Sequence, residues 1–181
     1  MKLKPRIFEA QRVSARHNAG QALIELSLIS LLLITLLFGL IDFSRAILTR
    51  QVITNLSREG ANLASRGTSL TSTLDALVLS ANPLTIAGSS GKGYIILTSV
   101  GWDTNGKLVI TAQEKMGAKP SSSKIGNAIG DTPILPNPNI PDPSQKTLVI
   151  AEVFYEYSPV TPVGTMLGSA LPSKLYDVSY F

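Results

Sequence analysis

The chain has no cysteine and a single histidine, His17, in 181 residues. Without thiols there is no disulfide framework, no thiolate nucleophile and no cysteine metal site. With its one histidine so close to the start, the chain beyond it can assemble no Ser-His-Asp or Cys-His arrangement. Charge is also scarce, at 15% Asp, Glu, Lys and Arg, and it is unevenly placed. Lys2, Lys4, Arg6, Arg12 and Arg16 face only Glu9 in the first 20 residues, which accounts for the whole net charge of +4. The remainder is neutral, so the high isoelectric point gives no support to a nucleic-acid partner, and none is expected. Aromatic residues make up 6% of the chain. Trp102, Tyr94, Tyr155 and Tyr157 sit in β-rich segments and read as sheet packing, not as a ligand platform.

Against these absences stands one long apolar run. Residues 26–41 carry no charge, and Ala22-Leu23-Ile24 extends the stretch backward with Glu25 included. That approaches the roughly 20 residues needed to span a hydrocarbon core of about 30 Å. The basic residues ahead of it favour a cytoplasmic N-terminus. The order is not that of a secretory signal, because the small-residue junction Ala19-Gly20 precedes the run. The exit from the run, Ile41-Asp42-Phe43-Ser44-Arg45, is bulky and charged. Ser27, Ser30, Thr35 and Gly39 are the small types found where membrane helices pack on one another. Hydropathy alone gives a membrane anchor. Glu25 is the odd residue, since an ionised carboxylate at membrane depth is costly without a partner.

Beyond the run, residues 42–66 continue without proline. Ile41, Leu48, Val52, Leu56 and Leu63 form a helical stripe, and Asp42 and Arg45 are spaced to pair along the helix. Joined to the membrane run this predicts a helix of roughly 45 residues, stopped at Gly67. The stripe suits either a filament core or the chain's own domain. Residues 68–82 predict a second, short helix ended by Asn82-Pro83. From Gly88 the texture becomes β. Residues 94–100 and 107–113 flank Asp103-Thr104-Asn105-Gly106, a hairpin signal. Residues 147–157 alternate as a half-solvated third strand, and residues 175–181 offer a fourth. Residues 116–146, with Pro120, Pro133, Pro136, Pro138, Pro141 and Pro143, predict a long exposed loop, either a display loop or a flexible insertion. The fold class expected is α+β: a long N-terminal helix, then a small antiparallel sheet domain with a proline-rich loop.

Chemistry finds little footing. Gly88-Ser89-Ser90-Gly91-Lys92-Gly93 has the wrong glycine spacing for a phosphate loop and reads as a turn entering a strand. Asp131 and Asp142 lack the interleaved ligands of a calcium loop. Glu152 and Glu156 share a strand face with nothing converging on them, and read as solvated. No catalytic, cofactor-binding or metal residue is predicted, and the chain reads as a non-enzyme.

Three stretches together resemble a known family. A basic leader ends in Gly20, Glu25 stands fifth after it, and the apolar run comes next, as in the class III signals of type IV pilin-like proteins. Gly20-Gln21-Ala22-Leu23-Ile24-Glu25, Gly39-Leu40-Ile41-Asp42-Phe43-Ser44-Arg45 and Arg58-Glu59-Gly60-Ala61-Asn62-Leu63-Ala64 are similar to the TadE-like domain. Two features depart from the usual pattern: Leu26 stands after Glu25 where an aromatic is common, and the run lacks an early proline. The resemblance implies a minor pilin or pseudopilin of a Tad-type IV pilus used in surface adherence. A prepilin peptidase would cut between Gly20 and Gln21, leaving the helix in the bacterial inner membrane with the C-terminal domain outside. It divides the chain into a leader (1–20), a membrane and stem helix (21–67) and an extracytoplasmic domain (68–181). Glu25 would pair with the new α-amine of a neighbouring subunit; the plain alternative is an interfacial residue at headgroup level. Implied partners are the peptidase, other pilins, the assembly platform and the bilayer. The main pilin of such a pilus is much smaller, which gives a chain of this size a minor role. The rivals are a type II secretion pseudopilin and a bitopic membrane-anchored binding protein.

Overall fold

A computed structural model describes residues 7–135, 147–166 and 172–181, with side chains from Gly20 onward. Helix α1 (Ile7–Ser65) runs for 59 residues, about 90 Å at 1.5 Å per residue. It is longer than the stem expected from the apolar pattern, because it extends back through the basic leader to Ile7. No proline stands between Pro5 and Pro83, and Glu9, Ala10, Gln11 and Ala15 are good helix formers. At its far end Gly67 adopts φ +93 and its N–H returns to the Ala64 carbonyl, closing the helix as the glycine signal predicted.

The remaining elements are α2 (Leu70–Ser80), β1 (Gly93–Trp102), β2 (Leu108–Gly117), β3 (Leu148–Glu156), α3 (Pro162–Met166) and β4 (Lys174–Tyr180). Ser69 caps α2, its hydroxyl accepting from the Ser72 N–H at 3.2 Å. The strands form one antiparallel sheet in the order β2-β1-β3-β4. The β1–β2 turn forms where Asn-Gly placed it. Gly106 takes φ +71, and Asp103 Oδ1 accepts from the backbone N–H of Asn105 at 2.9 Å and of Lys107 at 2.7 Å.

The second half of α1 lies across one face of the sheet, where α2 joins it. Ile53, Leu56 and Ala61 pack with Leu74 and Leu77 against Ile95, Leu97, Ala151 and Val153. Each large side chain buried there contributes about 1.5–3 kcal/mol of transfer free energy. The buried stripe differs from the expected one. It runs Asp42, Thr49, Ile53, Leu56, Ser57, Gly60, Ala61 and Ala64, while Ile41 and Leu48 stay exposed. Leu56 of the expected stripe is buried and Val52 and Leu63 are half-buried, but Ile41 and Leu48 mark the wrong side, and where the helix approaches the sheet most closely small residues are favoured.

The opposite face of the sheet is also covered, which corrects two expectations. Residues 118–135 fold back over it, burying Ile125 beside Val100, Ile110 and Ile150. This part of the predicted exposed loop therefore builds a small second core; residues 136–146 lie outside the described residues. Glu152, expected to be solvated, is fully buried. Its carboxylate accepts from the Ser123 hydroxyl, from the Lys124 N–H at 2.9 Å and from the Tyr176 hydroxyl at 3.0 Å. Three donors replace the water that a buried carboxylate loses. Glu156 remains accessible and pairs with Lys119 at 3.4 Å.

Candidate functional site

The functional segment is the part of α1 that the domain leaves uncovered. From Leu23 to Ile41 its large apolar side chains are exposed, apart from half-buried Phe38. Gly20–Ser65 is long and apolar enough to cross a membrane. Gly20 and Gln21 lie within the continuous helix, and nothing stands within 4 Å of where a Cβ on Gly20 would be. Gln21 Nε2 donates to Glu25 Oε1 at 3.1 Å, one helical turn away. Of the three residues singled out by sequence, the fold brings Gln21 and Glu25 together and leaves Gly20 open. A single amide donor at the surface is a weak partner for a carboxylate at membrane depth.

The junction between uncovered and covered helix is built around Asp42. Its exposure falls to 1% directly after the exposed Ile41. Oδ1 accepts from the N–H groups of Val160 at 2.9 Å and Thr161 at 3.3 Å, and Oδ2 accepts from the Thr161 hydroxyl at 2.5 Å. The Thr161 hydroxyl also accepts from the Gly164 N–H at 3.1 Å, so Asp42 and Thr161 together cap α3. The Tyr157 hydroxyl donates to the Asp42 backbone carbonyl at 2.8 Å. Gly164 is required here, since a Cβ would collide with the Asp42 carboxylate. The expected Asp42–Arg45 pair is therefore not the main interaction; the carboxylate turns to a loop over a hundred residues further along the chain.

This geometry sets a pH dependence. The Thr161 hydroxyl and then the Val160 N–H favour the ionised form and hold Asp42 below its ordinary 3.8, with Arg45 a minor contributor. Because the folded-state value is depressed, the stabilisation is complete above the ordinary value and is lost as pH falls through the folded one. The melting temperature of Asp42→Asn should lie below wild type at neutral pH, with the gap closing on acidification below 3.8. A gap independent of pH would contradict this assignment. Burial, with the Asp42 charge behind it, raises the Tyr157 phenol above its ordinary 10.0, keeping it a neutral donor.

The third stretch divides by face. Arg58 and Glu59 are exposed, whereas Gly60 and Ala61 are buried at the contact with the sheet. Beside them Ser57, fully buried, donates to Asp177 Oδ2 at 2.5 Å and lies 3.0 Å from Ser179 Oγ, tying α1 to β4. Nothing in the sequence signals Ser57 or Thr161, and Tyr157 reads there only as sheet packing. Among the described residues no group of three His, Cys, Asp or Glu is placed to hold a metal ion.

A helix of membrane-spanning length whose second half packs on a four-stranded antiparallel sheet defines a stem-and-head architecture. Residues 20–62 match the family model described as TadE-like protein, and it is that segment of the chain that is similar to the family. The match covers about a quarter of the chain and ends at Asn62, three residues before α1 does. No curated protein and no solved structure matches the chain.

Proposed function

We propose that the chain is a minor pilin or pseudopilin that takes part in assembling a Tad-type pilus. It is made as a precursor with residues 1–20 in the cytoplasm, and a prepilin peptidase cuts between Gly20 and Gln21. The membrane and stem helix, residues 21–67, then holds it in the bacterial inner membrane by its apolar run, with residues 68–181 outside. The observation that carries this reading is the coincidence of the TadE-like match with the helix. The matched segment begins at the proposed cut, crosses the apolar stretch and ends where α1 is buried on the sheet. A glycine inside a helix weakens it by about 1 kcal/mol relative to alanine, so Gly20 is a point where the helix opens at low cost. After the cut, Gln21 would carry an α-amine one turn from Glu25. In a bundle of apolar helices a carboxylate without a counter-charge is expensive, so pairing with a neighbour's amine would fix the register between subunits.

Deleting the chain should abolish or sharply reduce surface pili counted by electron microscopy, and restoring it should return them. Unchanged pili with a loss of protein secretion would instead point to a type II secretion pseudopilin. Unchanged pili and secretion would leave a membrane-anchored binding protein.

A further inference from the structure

The head begins at the apolar run without a spacer. Phe38 and Gly39, still inside the apolar run, are already half-buried, and α3 packs on α1. Contacts along the helix orient the sheet. Asp42 lies against Tyr157 at the end of β3, whereas Gly60, further up the helix, lies against Ala151. The end of the sheet holding Tyr155, with its partners Gly93 and Leu175 and the adjoining Glu156–Lys174 pair, therefore faces the end of the apolar run.

At that end three chain segments each place an exposed lysine. Lys92 precedes β1, Lys119 comes after β2, and Lys174 opens β4. They line a cleft of about 480 Å³ in which Glu156 is the one carboxylate among the described residues. Lys119 pairs with that carboxylate at 3.4 Å, and Lys92 Nζ donates to the neutral Ser158 hydroxyl at 2.6 Å. The cluster therefore keeps an excess of positive charge. A second depression, sharing Lys92, runs on to Arg45 and Leu48 of α1. Beside the clamp at Asp42, Val160 in the loop and Met166 at the end of α3 are exposed at 62% and 85%.

We propose that this end of the head is a docking surface for the phosphate headgroups of anionic lipids in the bilayer that α1 spans. Lys92, Lys119 and Lys174 contact the phosphates, and Val160 and Met166 enter the interface. The inference rests on the reading of α1 as a membrane span. Apolar tips beside basic side chains are the composition of interfacial anchors, in which burial and attraction to anionic lipid add. The role of docking is to hold the head upright on its stem before the subunit leaves the membrane. Each lysine near an anionic surface is worth about fivefold in such an equilibrium at low salt, so removing all three should weaken docking about a hundredfold.

The chain has no cysteine, so a single introduced one carries a spin label uniquely. The full chain in vesicles is labelled at Met166→Cys, at Thr104→Cys in the far hairpin and at Ile34→Cys in the apolar run. In vesicles containing phosphatidylglycerol the label at 166 should read headgroup depth, and the label at 104 should read water. Phosphatidylcholine vesicles, high salt or the triple variant K92Q/K119Q/K174Q should return the label at 166 to water. A label at 166 that stays in water on anionic vesicles, with the label at 34 in hydrocarbon, overturns docking and spares the span. A label at 34 in water overturns both. Docking unchanged by the triple variant overturns the lysine assignment. Protection of these lysines by a soluble acidic polysaccharide, with no response to anionic lipid, overturns the lipid assignment in favour of a glycan.

Discussion

Gly60→Val is expected to cost the head about 3 kcal/mol of stability, through overpacking where stem and sheet touch. A Cβ at this position would stand 2.7 Å from Leu77 Cδ1, 3.3 Å from the Ala151 Cβ and 3.4 Å from Leu97 Cδ2. Leu77 and Leu97 are fully buried, so neither side chain has free space into which to turn. A single methyl is a different case. Gly60→Ala gains about 1 kcal/mol of helix propensity, which offsets part of the contact strain, so it should be close to neutral. Valine adds two γ-methyls with a stiff χ1 and no such compensation. The sole tryptophan, Trp102, lies at the end of β1 and reports unfolding by fluorescence. A valine variant with the wild-type midpoint would show that the helix does not seat on the sheet as closely as described.

Glu25→Ala should eliminate incorporation into filaments while leaving the chain folded, inserted and processed. The residue is exposed, and its one side-chain partner among the described residues is the Gln21 amide at 3.1 Å, so the fold of the head does not depend on it. Its proposed use is between subunits, where a carboxylate among apolar helices is satisfied only by a neighbour's charge. Glu25→Gln tests charge against shape: it retains the size and hydrogen-bonding capacity and loses the ion pair, and it should fail as the alanine variant does. Recovery of this chain in sheared pili, compared with its amount in the membrane, separates assembly from expression. Wild-type recovery of the alanine variant would reduce Glu25 to a residue at headgroup level.

The range of the forces involved decides which features the sequence disclosed and which it concealed. The helix, its glycine stop, the Asn-Gly hairpin and all four strands are local features written in period and turn chemistry, and the structure has them. The face of the stem that is buried was harder. Hydropathy points to Leu48 and Ile41, but the sheet selects Gly60, Ala61 and Ser57 because small side chains allow close approach. Glu152 misled for a similar reason. Period two puts it on the face opposite Ala151, and no local signal shows that residues 118–135 return to cover that face. Asp42 has a plausible local partner in Arg45, yet its donors come from Val160 and Thr161. Family resemblance marks Asp42 and Gly60 as part of a signature without giving the reason. The geometry supplies one: the first clamps the head to the stem, and the second lets the stem lie flat on the sheet.

The same division applies to the site. Glu25 stands out because a carboxylate beside an apolar run breaks a local expectation, whereas Gly20 and Gln21 stand out only through the family resemblance. Nothing in an isolated chain could pair Glu25 with a neighbour's amine, because the proposed partner would exist only after cleavage and only in another copy. The head's contribution was less visible still. Lys92, Lys119 and Lys174 are far apart in sequence, and only the antiparallel register gathers them at the end of the sheet nearest the apolar run.

The central claim is that this chain is cut as a pilin-like precursor, and one measurement addresses it directly. The protein is recovered from membranes of cells that contain the prepilin peptidase, and its N-terminus is sequenced. The account predicts a chain beginning Gln21-Ala22-Leu23-Ile24-Glu25, with the leader absent. A chain that still begins at Met1 in those cells would contradict it.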